Sequence, residues 1–245
     1  MTTKTNTVLI TGGSSGIGLD AARGFLEKGF NVVLNGRDED KLADAVKYLN
    51  GNGSVAVVAG DIGDKDTGEN LVATAVERFG SADVLVNNAG IFGLKPFLES
   101  TEEELDRYIH VNLKGTYFVT QSAVRQMKAQ GGGSIVNVGT VQLMHTMATV
   151  PASAAVATKA TMHTLTTSLA SELAADNIRV NTVAPGIVRT PIYGDADVDS
   201  FGGIALMNRV GEVEEITDAI IYLATAGFTT GATLAVDGGY VPGRA

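Results

Sequence analysis

The segment Thr11-Gly12-Gly13-Ser14-Ser15-Gly16-Ile17-Gly18 follows the short apolar run Val8-Leu9-Ile10 and leads into a helical pattern. Glycines at 12, 13, 16 and 18 allow a tight turn and let backbone N–H groups approach an anion, and a helix starting there sets its positive dipole end beneath that anion. The chemistry this suits is a grip on a pyrophosphate. A second informative stretch closes the next strand, Leu34-Asn35-Gly36-Arg37. A carboxylate at this place accepts ribose hydroxyls, whereas a guanidinium pairs with a 2′-phosphate. Gly36 carries no carboxylate and Arg37 follows it, so the pattern points to NADP(H) in preference to NAD(H). The alternative is a solvated Arg37 with Asp38 turned towards the ribose. A third candidate is His145, since an imidazolium is a side-chain acid that can donate a proton at neutral pH.

The elements that must position these groups alternate in kind. Strand-like runs read Val8-Leu9-Ile10, Val32-Val33-Leu34, Val55-Ala56-Val57-Val58, Val84-Leu85-Val86, Ile135-Val136-Asn137-Val138, Val180-Asn181-Thr182-Val183 and Leu234-Ala235-Val236. Between them, Ile17 to Glu27, Glu39 to Leu49, Lys65 to Phe79, Glu102 to Met127, Ser153 to Ala174 and Val213 to Ala226 have helical periodicity, with Ser153 read as an N-cap. This alternation predicts an α/β fold, a doubly wound seven-stranded parallel sheet covered by helices on both faces. Ligands are then expected at the carboxyl ends of the strands, where the candidate groups fall.

The glycine segment, Asn87-Asn88-Ala89-Gly90 and Lys159 in Ala154-Ala155-Val156-Ala157-Thr158-Lys159-Ala160 together make the chain resemble the short-chain dehydrogenase/reductase family from end to end. The resemblance implies a Rossmann-like domain and hydride transfer between a nicotinamide and a carbonyl carbon. It implies cofactor contacts from Gly12, Ser14, Ser15, Gly16, Ile17, Gly18, Arg37, Asp61 and Ile62 at the phosphates and adenine. Asn88, Ala89, Gly90 and Lys159 would serve the ribose, and Pro185, Gly186, Val188 and Thr190 the nicotinamide. It also implies that Asn112 serves a proton path, that Thr140 holds the substrate oxygen in the place of a serine, and that Lys159 completes the site. One position departs from the family's pattern. The residue four before the lysine, a tyrosine that protonates the substrate oxygen in the family, is Ala155 here, and a methyl group cannot give a proton.

His145 lies between Thr140 and Ala155, on the loop that passes beside the nicotinamide in the resembling fold, and is the expected substitute donor; a polar loop residue or subunit contact is the other reading. Tyr193 is read as a pocket wall, with a second possible proton donor as the alternative, His110 and His163 as structural, and Ser153 as too weak an acid. The segment from about 190 to 210, with Phe201, Leu206 and Met207, is expected to be a substrate lid with an apolar underside. The leading expectation is an NADPH-dependent ketone reductase acting on a largely apolar substrate. The rivals are a non-catalytic NADP(H)-binding or sensor protein and a family member inactivated at position 155.

Composition sets the frame for these readings. A chain of 245 residues fits a single domain over 1–245, and the absence of cysteine excludes disulfides and thiolate-bound metal. The net charge of −9 offers no basic footprint for nucleic acid or anionic lipid, and three histidines form no metal motif. The polar start Met1-Thr2-Thr3-Lys4 without a long apolar run predicts a cytoplasmic protein. The resemblance implies a homo-oligomer, tetramer or dimer.

Overall fold

The computed structural model describes residues 5–51, 53–147 and 150–241. Seven strands, β1 (Thr7–Ile10), β2 (Asn31–Gly36), β3 (Val55–Ala59), β4 (Val84–Asn87), β5 (Gly133–Val138), β6 (Ile178–Pro185) and β7 (Thr233–Val236), form one sheet in the order β3-β2-β1-β4-β5-β6-β7. Every neighbouring pair is parallel. The helices are α1 (Gly16–Glu27), α2 (Glu39–Leu49), α3 (Lys65–Phe79), α4 (Glu102–Tyr108), α5 (Thr116–Gln130), α6 (Ser153–Glu172) and α7 (Val213–Thr225). The predicted doubly wound sheet is thus present.

Side-chain alternation along the strands divides the core into two layers. Val8 and Ile10 of β1, Val32 and Leu34 of β2 and Val136 of β5 pack with Phe25 of α1, Leu42 of α2 and Ile220 of α7. Leu9, Val33, Leu85 and Ile135 point the other way, onto Leu71 of α3 and Val119 and Met127 of α5. Burial on both faces is why these strands read as continuous apolar runs.

Two expected elements end differently. The helix predicted from Glu102 to Met127 contains a π-helical segment, Ile109–Gly115, between α4 and α5. The wide turn coincides with two long-range contacts: a Cβ at Gly115 would lie 2.8 Å from Ile62 Cγ2, and Asn112 is tied sideways to the backbone of Ile91. Ser153 is not the N-cap of α6. Ala152 holds that place, because its carbonyl already accepts the Val156 N–H at 2.8 Å, leaving Ser153 inside the first turn.

Polar side chains tie the ends of the central strands together beneath the cleft. Asn87 Nδ2 donates to Asn137 Oδ1 and to Thr120 Oγ1, each at 2.8 Å, and Asn137 Nδ2 donates to Thr166 Oγ1 at 2.8 Å. Thr166 meets Thr182 at 2.6 Å, extending the chain of bonds to β6. All five residues are buried. Because removing one member leaves its partners buried and unsatisfied, Asn137→Ala should lower the unfolding free energy by about 2–4 kcal/mol, read from urea denaturation against wild type.

Candidate active site

The sheet order reverses between β1 and β4, and a cleft of about 1010 Å³ opens at the carboxyl ends of the strands there. The glycine turn is bolted across this crevice. Thr11 Oγ1 accepts from the N–H groups of Asn88 (3.1 Å) and Ala89 (2.9 Å), while Asn88 Nδ2 donates to the carbonyls of Thr11 and Gly12, both at 3.0 Å. Gly12 and Gly16 have φ of +64° and +53°, which favour glycine. At Gly18 a Cβ would run into the Gly12 carbonyl and come within 2.5 Å of Asn88 Nδ2. The first turn of α1 has no acidic residue, and its N-cap Ser15 makes no side-chain cap bond, so the helix end keeps N–H groups for an anion. Ser14, Ser15, Gly16 and Ile17 line this part of the cleft. The cradle that a Cβ would fill and the uncapped helix end fit a dinucleotide pyrophosphate.

At the adenosine end, the buried Asn35 donates to the carbonyls of Val58 (3.2 Å) and Gly60 (3.0 Å), joining the ends of β2 and β3. A Cβ at Gly36 would meet Leu42 Cδ2 at 3.2 Å and Ser14 Oγ at 3.3 Å, so this position has little room for a larger side chain. Arg37 is exposed and lines the cleft. Asp38 does not: its carboxylate caps α2 by accepting from the Lys41 N–H at 3.0 Å. The inward-turned Asp38 of the alternative reading is therefore not the arrangement observed. Asp61 and Ile62 line the cleft, with Asp61 Oδ1 accepting from the Gly63 N–H at 2.9 Å and standing 3.4 Å from His110 Nε2.

At the other end the polar groups converge. Lys159 lines the cleft with only 9% of its surface exposed, and burial brings its pKa down to about 8. A Cβ placed on Gly90 would be 3.2 Å from both Lys159 Nζ and Asn112 Oδ1, so the two groups share the space that glycine leaves. Asn112 is fixed on three sides: Oδ1 accepts from the Ile91 N–H at 2.9 Å, while Nδ2 donates to the Ile91 carbonyl and to Thr158 Oγ1, both at 3.0 Å. Thr158, which the sequence reading passed over, sits 3.0 Å from the carbonyls of Ala154 and Ala155 and so binds Asn112 to the turn preceding Lys159. Its hydroxyl beside the lysine was the available signal. Ala89, Pro185, Gly186, Val188 and Thr190 also line the cleft, as does Thr140, whose Oγ1 accepts from the Gln142 N–H at 3.3 Å.

Two of the singled-out residues lie outside the cleft wall. Ala155 is 1% exposed and does not line the cleft. His145 is exposed, does not line the cleft either, and stands edge-on to Tyr240 with ring centroids 5.6 Å apart. Its loop is turned so that Gln142, Met147 and Val150 face the cavity instead. Tyr193 does line the cleft, and burial raises its pKa. The segment from Thr190 onward contributes Ile192, Phe201 and Ile204 to the wall, and is anchored by Arg189 to Asp199 (2.6 Å) and Glu212 (3.2 Å). Sequence reasoning also missed Phe92, Leu94 and Tyr240 in the wall. The first two follow β4 without any helical or strand pattern, and Tyr240 reads as packing.

Residues 6–199 match the family model described as short chain dehydrogenase. The chain belongs to the short-chain dehydrogenase/reductase family. This family member is 38% identical over 246 residues to the L-rhamnose 1-dehydrogenase (NAD(P)(+)) of Azotobacter vinelandii, with 95% of each covered. It is 35% identical, with 97% of each covered, to the NADP-dependent (R)-specific alcohol dehydrogenase of Lentilactobacillus kefiri. Among solved structures, a short-chain type dehydrogenase/reductase from Mycobacterium marinum is similar at a TM-score of 0.91 and 31% identity, over 96% of this chain and 95% of that one. The fold and the family's oxidoreductase class are therefore common ground. Among the described residues of this short-chain dehydrogenase/reductase, no helix is long and apolar enough to cross a membrane.

Because a methyl group at Gly18 would push the Gly12 carbonyl and the Asn88 carboxamide apart, Gly18→Ala should cost about 1–3 kcal/mol by overpacking. Thermal unfolding monitored by circular dichroism should show a melting temperature several degrees below wild type.

Proposed function

We propose that this chain is an NADPH-dependent oxidoreductase that reduces the carbonyl group of a largely apolar substrate to an alcohol. The observation that carries the reading is the convergence of buried Lys159 and three-way-held Asn112 beside Gly90, in the same cleft as the glycine turn. The turn and the start of α1 would hold the pyrophosphate, Asn88 to Gly90 and Lys159 the nicotinamide-side ribose, and Pro185, Gly186, Val188 and Thr190 the nicotinamide. When bound, NADPH supplies a hydride to the carbonyl carbon. Thr140 offers a hydroxyl donor to the substrate oxygen. The walls from Phe92, Leu94, Val141, Ile192 and Phe201 favour an apolar body. The segment from about 190 to 210 acts as the substrate lid, over a single domain.

With Ala155 in the place of the family's tyrosine, the proton that completes the alcohol has to come from elsewhere. Lys159 fits that role better than His145. It lies in the cleft wall, its proton is available near neutral pH, and Asn112 stands beside it to bind an intervening water, whereas His145 is outside the wall. Lys159 would give the proton that completes the alcohol, and solvent would return one to its neutral amine. A second reading, a protein that binds NADP(H) without turnover, is favoured by the closed surroundings of Ala155 alone. NADPH oxidation followed over a panel of ketones separates the two, since the second reading requires no turnover of any of them.

The cofactor assignment rests on Arg37 in the cleft and on Asp38 engaged as a helix cap. Arg37→Ala should weaken NADPH binding about tenfold or more through loss of a charge-assisted pair, and leave NADH binding within about threefold. Fluorescence titration with both cofactors checks this, and equal losses for the two would overturn it.

The proton assignment makes a pH prediction. Burial depresses the Lys159 pKa, so the ammonium is lost as pH rises through about 8. Ketone reduction at saturating NADPH should fall above that pH, and alcohol oxidation, which needs the neutral amine, should rise across the same window. A reduction rate flat from pH 6 to 10 would remove Lys159 from the proton step.

A further inference from the structure

Tyr240 is the one buried phenol in the cleft wall whose hydroxyl has no hydrogen-bond partner among the described residues. It is 4% exposed and follows β7 in a turn held by a single carboxylate: Asp237 Oδ1 accepts from the Gly239 N–H and Oδ2 from the Val241 N–H, each at 2.8 Å. The Tyr240 N–H itself donates to the Asp237 carbonyl at 3.2 Å. The side chain therefore projects from a rigid base. It clusters with Val141, next in sequence to Thr140, and with Ala184 at the end of β6. Met147, from the irregular stretch after β5, and Ile204, at the end of a 3-10 turn (Val198–Ile204), pack against this cluster. A methionine adapts readily to a new neighbour.

A buried hydroxyl without a partner is unfavourable, and a packing role would be filled as well by phenylalanine. Burial also pushes the Tyr240 pKa up, which keeps the phenol protonated and makes it a neutral donor, not a titrating acid. We infer that the Tyr240 hydroxyl is a substrate-binding group: it donates a hydrogen bond to an oxygen of the bound carbonyl compound when that compound displaces Met147 and Ile204 from the cluster. The substrate class is then narrowed to molecules that combine an apolar body with an acceptor oxygen reaching the β6–β7 side of the cleft. This rests on the reading of the cleft as a carbonyl-reductase site, but its test does not require turnover.

The test is Tyr240→Phe, which removes one oxygen and keeps the ring. Acetophenone and α-methylstyrene, alike in shape but differing in the acceptor oxygen, are titrated into the NADPH complex and followed by NMR. The expected result is about a tenfold loss of acetophenone affinity in the variant, with α-methylstyrene affinity unchanged and NADPH affinity unchanged. The melting temperature of the free variant should equal or exceed that of wild type, because no bond within the protein is lost. Equal affinity changes for the two probes, or none, would overturn the inference. A failure of the reductase reading would show separately, as wild-type protein that binds acetophenone and never oxidises NADPH.

Discussion

The bonds that Thr11 and Asn88 exchange across the β1/β4 crevice are the constraint on which the site depends. A doubly wound sheet leaves a gap where its strand order reverses, because the connections on either side leave in opposite directions. Here the gap is crossed by four hydrogen bonds between the end of β1 and the segment after β4. They fix the glycine turn proposed to receive the phosphates and, through Asn88, the chain that runs on to Gly90 and Ile91. From Ile91 the fixation passes to Asn112 and then to Thr158, one residue before Lys159. The glycine-turn end and the Lys159 end of the cleft are thereby joined by one hydrogen-bonded frame.

Lys159 stands beside that frame with little exposure. An isolated buried ammonium is costly, and proteins commonly answer that cost by lowering the pKa. The same burial that disfavours the charge makes its proton easier to give away near neutral pH. Below the cleft, buried polar side chains are linked in a ladder from Asn87 through Asn137 to Thr166 and Thr182. It holds the carboxyl ends of β4, β5 and β6 in register, and the residues that line the cleft leave from those ends. Stability and site geometry draw on the same buried polar atoms.

The parallel sheet was legible because β-branched runs such as Val32-Val33-Leu34 are buried on both faces and carry no competing polar pattern. The glycine turn was legible because its spacing lies directly between a strand and a helix. The π-helical segment Ile109–Gly115 was not, since it arises from long-range packing of Gly115 on Ile62 and of Asn112 on Ile91, to which local periodicity is blind. The direction of His145 was hidden for a similar reason. A residue in the irregular stretch after β5 can face either way, and here Met147 and Val150 take the inward positions. Tyr240 looked like packing because sequence shows a tyrosine's place in a motif but not whether its hydroxyl has found a partner.

The crowding around Gly36 has an evolutionary consequence. Its Cα lies where any added side chain meets Leu42, itself a core residue of α2, and the Ser14 hydroxyl of the phosphate turn. The neighbouring carboxylate, Asp38, is engaged in starting that same helix. A lineage gaining a carboxylate at position 36 would need Leu42 and Ser14 to give by a few tenths of an ångström, and one drawing Asp38 towards the ribose would release the cap of α2, so each single step carries its own packing or capping cost.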